Sequence, residues 1–267
     1  MKMQPRKAKT RRKAMNPISK NMELKILGSS SSGNCYLFDN GKEALMVECG
    51  VPFNKVKKAV DFDLSRIVCC LVSHEHGDHA RSARQVLASR IPLYMSRGTA
   101  QALQLPDNTQ VRRIEAGCIR QIGGFRVIPF NVKHDAAEPL GYLIKHPEMG
   151  TTLFATDTYY LEHKFAGMNN ILIECNYDIK ILDANIAAGL VSAALRKRTV
   201  KSHMNIETCL EALGANDLTE VNNIVLIHLS ASNSNAKEFQ RRVEKATGKN
   251  VIVARKDMTI EFNKTPF

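Results

Sequence analysis

Three histidines and an aspartate packed into six residues, directly after an uncharged apolar run, constrain this chain more than anything else in it. The segment reads Ile67-Val-Cys-Cys-Leu-Val72, then Ser73-His74-Glu75-His76-Gly77-Asp78-His79. An apolar run of that length, bounded by polar residues, predicts a fully buried strand. Its end is a rigid base for a loop of imidazole and carboxylate groups, the ordinary ligands of zinc and similar ions. On such a loop the His74/His76 pair can face one ion while the Asp78/His79 pair faces a second. Glu75, set between two residues that face the metals, is expected to point away. The chain has eight histidines in all, so three in one loop is a concentration that a merely polar loop would not produce.

The surrounding pattern predicts the elements that hold this loop. Short apolar or alternating runs at 23–28, 35–39 and 44–48 read as strands, with Asn40-Gly41 as a hairpin signal. Val56 and Val60 suggest a short helix, and Ala83, Val86, Leu87 and Ile91 fall at helical spacing. Further strands are expected at 111–115, 125–132, 140–145, 151–156, 171–174 and 223–227, with two more closing the chain. Helices are expected at about 184–196, from residue 205 with Asn205 as N-cap, and at about 235–246. Strands outnumber helices and the helices are spread along the chain, which points to two sheets covered by helices.

With the loop and the strands placed, the chain resembles the metallo-β-lactamase fold hydrolases, whose signature is H-x-H-x-D-H after a hydrophobic strand. Further matches follow in order: His134 after the strand 125–132, Asp157 after Thr151–Thr156, and His228 after Asn223–Ile227. The resemblance spans about residues 23–262. It implies an α/β chain folded as a four-layer αβ/βα metallo-β-lactamase sandwich, with the site on one edge of the two sheets. By family matching, one metal takes His74, His76 and His134, a second takes Asp78, His79 and His228, and Asp157 bridges them. Two divalent ions so held would use a bridging hydroxide to attack a phosphodiester. No cysteine enters this ligand set, so zinc fits and manganese is equally admissible.

Other motifs narrow the branch. Gly28-Ser-Ser-Ser-Ser-Gly33-Asn34-Cys35, Ile173-Glu-Cys-Asn176-Tyr-Asp178, Ser202-His203-Met-Asn205 and His228-Leu-Ser230-Ala-Ser-Asn233 are similar to the YycJ/WalJ-type branch. That branch implies 5′-to-3′ DNA exonuclease activity. His203 also resembles the phosphate-handling histidine of ribonuclease J and its relatives, whose long inserted domain this chain is too short to hold. The chain departs from the branch at Ser202, where glycine is usual, and at Ala231-Ser232, where acids are common. The resemblance gives Asp78 and His203 catalytic roles, and lets His203, Ser230 and Asn233 contact substrate phosphate. His203 lies just ahead of an Asn-capped helix, so a capping or surface role is its plain alternative. Asn176 and Asp178 are expected either to steady the ligands from behind or to shape a turn. Gly28-x4-Gly33 lacks the Lys and Ser/Thr of a nucleotide-binding loop and leads into a strand, so it reads as a tight turn near the site. His146 and His163 match no motif and are expected at the surface.

Charge and composition bound the partners. Residues 1–20 hold Lys2, Arg6, Lys7, Lys9, Arg11, Arg12, Lys13 and Lys20 with no acid; removing those eight from a net charge of +12 leaves +4 for the rest. Residues 1–21 therefore read as a basic, disordered tail suited to polyanions, and residues 22–267 as one folded domain. DNA is the favoured partner, and no oligomeric state is assigned. Seven cysteines without a CxxC pair point to free thiols in a reducing cytoplasm. No apolar run is long enough for a membrane span. Against the exonuclease reading stand the same site acting on a small or cyclic nucleotide or on RNA, a thioester or lactam hydrolase, and a non-enzymatic DNA-binding protein with structural metals.

Overall fold

The structure is a computed structural model that describes residues 21–265; the expected basic tail falls almost wholly outside them. The first half runs β1 (Glu23–Gly28), β2 (Cys35–Asp39), β3 (Ala44–Val47), α1 (Phe53–Ala59), β4 (Ile67–Leu71), α2 (Gly77–Ala80), α3 (Ala83–Ala88), β5 (Leu93–Met95), α4 (Arg97–Ala102) and β6 (Val111–Arg113). There follow β7 (Arg120–Ile122), β8 (Phe125–Asn131), β9 (Leu140–His146), β10 (Gly150–Ala155) and β11 (Asn170–Glu174). Three helices come next, α5 (Ile179–Ala187), α6 (Ala193–Ser202) and α7 (Ile206–Gly214). The chain ends with β12 (Asn223–Ile227), α8 (Ala236–Thr247), β13 (Asn250–Val253) and β14 (Met258–Glu261).

The strands form two seven-stranded sheets, ordered β14-β1-β2-β3-β4-β5-β6 and β13-β12-β11-β10-β9-β8-β7. Each sheet is antiparallel at one side and parallel at the other. In the first, β3 to β6 run parallel; in the second, β10 to β13 do. Parallel neighbours need crossover connections, and these supply the outer helices. Alternation along the strands sorts the side chains into layers. Leu24, Ile26, Phe38 and Leu71 from one sheet meet Phe125, Val127, Tyr142 and Phe154 from the other in a central apolar layer. A second layer joins the first sheet to α1 and α3 through Val56 and Val86, and a third joins the other sheet to α7 and α8 through Cys209 and Phe239. The result is the helix–sheet–sheet–helix sandwich expected from the pattern. Because β3, β4, β8, β10, β11 and β12 all end on the same edge, the loops after them converge, as loops do at the carboxyl edge of a parallel sheet.

Several local expectations need correction. The helix expected at 184–196 is two helices, because Gly189 turns left-handed at φ +72° and Ser192 caps the second by accepting from Leu195 N. The apolar spacing ran on across the break. His146 is not at the surface: it is buried against Phe125, with Nε2 3.3 Å from Glu43 Oε1. The strand expected to reach residue 48 stops at Val47, because Glu48 is left-handed at φ +65°. β5, α4 and β7 were not anticipated: each strand has three residues, too few to display an alternation, and the six residues of α4 (Arg-Gly-Thr-Ala-Gln-Ala) show no apolar helical period.

Candidate metal centre

The residues proposed as ligands stand just past strand ends. His74 and His76 follow β4, Asp78 and His79 lie in α2, His134 follows β8, Asp157 follows β10 and His228 follows β12. Close backbone packing holds the first group in place. A Cβ on Gly50 would overlap the Asp78 carbonyl, Cys49 N donates to His79 O (2.8 Å), and Asn34 N donates to Asp78 O (2.8 Å). Asp157 and His228 adopt φ +43° and +55°, conformations costly for residues with a Cβ and concentrated at functional sites.

The ligand atoms fall into two groups. Those of His74, His76 and His134 lie within 4.8 Å of one another, and so do those of Asp78, His79, Asp157 and His228. Asp157 reaches both: its Oδ2 is 3.8 Å from His74 Nε2, 3.6 Å from His134 Nε2 and 3.3 Å from His79 Nε2. Its Oδ1 is 3.6 Å from His228 Nδ1.

The donor set fits metal ions by a direct test. His74 Nε2 is buried with no hydrogen-bond partner, and His134 Nε2 and His76 Nδ1 face each other at 3.1 Å. Buried polar atoms are normally paired, so imidazoles left this way point to a cation among them. The opposite ring nitrogens are held from behind, as metal-binding histidines require. Ser73 Oγ lies 2.9 Å from His74 Nδ1, and His134 Nδ1 donates to the Ser202 carbonyl at 2.8 Å. Asn176 Nδ2 lies 3.1 Å from His228 Nδ1 and donates to the His228 carbonyl at 2.8 Å.

Two acids that sequence reading gave no role complete the support. Glu48, fully buried after β3, accepts from Ser73 N (3.2 Å) and lies 3.6 Å from His79 Nδ1. Glu174, fully buried at the end of β11, lies 2.7 Å from His203 Nδ1 and 3.3 Å from His228 Nδ1. It also accepts from Thr158 N and Met204 N. Each is an acid at the end of a strand of otherwise uncharged residues, a readable signal, since an unpaired buried carboxylate is too costly to keep. Asn34 was likewise passed over: its Nδ2 is 3.2 Å from His79 Nε2, which brings the Gly28–Asn34 turn onto the site.

Electrostatics divide the centre. Burial and the neighbouring His79 hold the His74 imidazole well below its usual pKa, and burial lowers His134 also. On the other side burial opposes charge, but Asp157 and its fellow carboxylates outweigh it. His79 is raised well above the ordinary range and His228 is pushed up to about 10. Burial would likewise raise Asp78 and Asp157, yet the adjacent imidazoles hold both below the usual carboxylate range. Burial raises Glu48, while His203 and His228 keep Glu174 low.

A cavity of about 360 Å³ opens over the groups, lined in part by His76, Asp78, Asp157, Asn176, His203 and His228. Ser230 and Asn233 form one wall; Leu195, Arg198 and Thr199 of α6 form another. Asn233 Oδ1 accepts from Asn185 Nδ2 (2.8 Å), which leaves its amide nitrogen as a donor. Asp178 instead caps α5, accepting from Lys180 N at 2.7 Å, and among its described contacts none reaches the ligand groups. Glu75 turns away to accept from Ala137 N (2.8 Å), and His163 is exposed.

A family described as "Beta-lactamase superfamily domain" matches residues 43–229. Exodeoxyribonuclease WalJ of Streptococcus pneumoniae is 30% identical over 236 residues, covering 80% of this chain and 83% of that protein. The chain belongs to the WalJ/YycJ branch of the beta-lactamase superfamily. Exodeoxyribonuclease YycJ of Bacillus anthracis is 27% identical over 236 residues, covering 82% of this chain and 86% of its own. Among solved structures, the metallo-beta-lactamase fold protein YhfI of Bacillus subtilis superposes with a TM-score of 0.67 at 16% identity, over 90% of this chain and 99% of that one. The short form of human tRNase Z gives 0.59 at 15% identity, over 90% and 99%. At such identities these structures speak for the fold alone. Superfamily membership and the two His/Asp groups together support divalent metal ions at this centre.

Proposed function

We propose that this chain is a DNA exonuclease that removes nucleotides from a 5′ end with two divalent ions, zinc or manganese. Its ligands are His74, His76 and His134 for one ion and Asp78, His79 and His228 for the other, with Asp157 shared. The observation that carries the reading is the placement of the Asp157 carboxylate, in reach of imidazoles from both groups on the floor of one cavity. The similarity to proteins named exodeoxyribonucleases supplies the substrate class.

Bound there, the ions would supply Lewis acidity to a phosphodiester and an activated water. The chain's own groups do the rest. Glu174 fixes the His203 ring through Nδ1, and among the described residues no hydrogen bond engages its Nε2. Burial works against charge on that ring, but Glu174 and Asp157 raise its pKa above the ordinary value. His203 therefore holds a proton more readily than a free imidazole, and that proton can go to the departing oxygen or hold the phosphate. Ser230 and Asn233 offer neutral donors to phosphate oxygens on the facing wall. The cations of residues 1–21 add non-specific attraction for DNA. All seven cysteines are free thiols and six are buried, which supports a cytoplasmic setting; no described helix is long and apolar enough to cross a membrane.

The test is hydrolysis of 5′-phosphorylated, end-labelled duplex DNA with zinc or manganese, beside Asp78→Ala. Stepwise release of mononucleotides from the 5′ end, abolished in the folded variant, is expected. A folded, metal-loaded protein that releases nothing, or a variant with full activity, would refute the proposal.

A further inference from the structure

α6 does more than close one wall of the cavity. In a helix of 3.6 residues per turn, positions 195, 198, 199 and 202 share a face. On that face Leu195, Arg198 and Thr199 line the cavity, and the Ser202 carbonyl accepts from His134 Nδ1. Arg198 is held at the mouth, its Nε donating to Asp135 Oδ2 at 2.9 Å. Its two terminal nitrogens make no hydrogen bond among the described residues. Arg198 also belongs to a second ridge, with Lys197 and Lys201 at the i+3 and i+4 spacing that makes neighbours on a helix surface. All three are exposed, and the helix contains no acid. Among the described residues neither lysine has an ion-pair partner, whereas on α8 Arg241 and Arg242 are paired with Glu238 and Glu207.

We propose that this ridge carries the DNA strand as it leaves the cavity, with Arg198 nearest the cut and Lys201 and Lys197 along the backbone beyond. The inference rests on the exonuclease reading and adds the path of the uncleaved strand. It commits to DNA because the ridge runs from Arg198 at the mouth of the site, whose terminal nitrogens stay open beside its Asp135 contact, to two lysines without an ion-pair partner among the described residues, the complement of a phosphate backbone. Leu195, half exposed at the same mouth, gives the terminal base an apolar surface.

The test uses the full chain and two double variants of equal charge loss. Lys197→Ala/Lys201→Ala alters the ridge. Arg126→Ala/Lys145→Ala alters an exposed pair on β8 and β9, at the end of the sheet away from the site. Binding of a fluorescent 5′-phosphorylated duplex is followed by anisotropy in EDTA across a salt series, and turnover is measured with metal. The ridge variant should lower the slope of log K against log salt by about 2, one unit per lost phosphate contact. It should also raise KM with kcat retained, and the β8/β9 variant should match wild type. A wild-type slope in the ridge variant, an equal loss in the β8/β9 variant, or a fall in kcat at constant KM would overturn the proposal. Tighter binding of an RNA duplex would overturn the choice of DNA. Wild-type protein that binds through the ridge yet releases no nucleotide would leave the ridge standing and remove the exonuclease reading.

Discussion

The two halves of the metal centre are built on opposite electrical principles. One half is three imidazoles, His74, His76 and His134, with His74 and His134 held neutral chiefly by burial. The other joins Asp78 and Asp157 to His79 and His228, whose protons those carboxylates hold firmly. A neutral imidazole is ready to bind a cation, whereas a protonated one must first release its proton. The halves should therefore differ in when they take metal, although Asp157 ties them into one site.

The harshest way to break the comparison is to remove what the halves share. Asp157→Ala leaves His74, His79 and His134 without the carboxylate oxygen that all three approach. Metal analysis should find both ions depleted, while Asp78→Ala should chiefly lose the second. Activity of Asp157→Ala should fall by about 10²–10³-fold, the scale of losing one preorganised electrostatic group. An Asp157→Ala protein that keeps one full equivalent of metal would show that the carboxylate belongs to one half only.

A gentler change separates the supports. Glu174→Gln loosens His203 and His228 together, and Glu48→Gln touches only His79 among the ligands. Losses of about 10–100-fold are usual when a group that orients a metal ligand is altered. Glu174→Gln should lie at the upper end, with a shifted pH–rate profile because His203 loses its charged partner. Glu48→Gln should lie at the lower end with its profile unmoved. Equal effects with equal profiles would make Glu174 a support for His228 alone.

How much of this could be read in the sequence follows the same division. His74 to His79 sit in one loop, so their chemistry was local and visible in the spacing. His134, Asp157 and His228 are brought in from separate strand ends, and only a family pattern could join them, because sheet order is a long-range property. Glu48 and Glu174 went unassigned although each ends an uncharged strand: that pattern marks a buried acid, but only the placed neighbouring strands show which histidines it supports. Asp178 was left between two roles, supporting the ligands or shaping a turn, and the start of α5 claims its carboxylate. The fold class was legible because alternation and apolar runs recur through both sheets. The break at Gly189 was not, because apolar spacing continued through it.

The smallest expected effect is a slope, and its sign follows from the shifts. In the metal-free fold His228 keeps its proton up to about pH 10, so an ion entering its half near neutrality displaces that proton. Affinity for the second ion should then rise by about tenfold per pH unit for each proton displaced, and fall by the same factor as pH drops. Burial holds His74 and His134 below the usual imidazole range, so affinity in their half should depend less steeply on pH. Calorimetric titration with zinc, repeated in buffers of different ionisation enthalpy, counts the protons released with each ion. More protons released with the second ion than with the first is the expected result. Equal release from both halves would mean that the carboxylates do not hold the imidazole protons of one half more firmly than burial removes them from the other, and the electrical contrast would be lost.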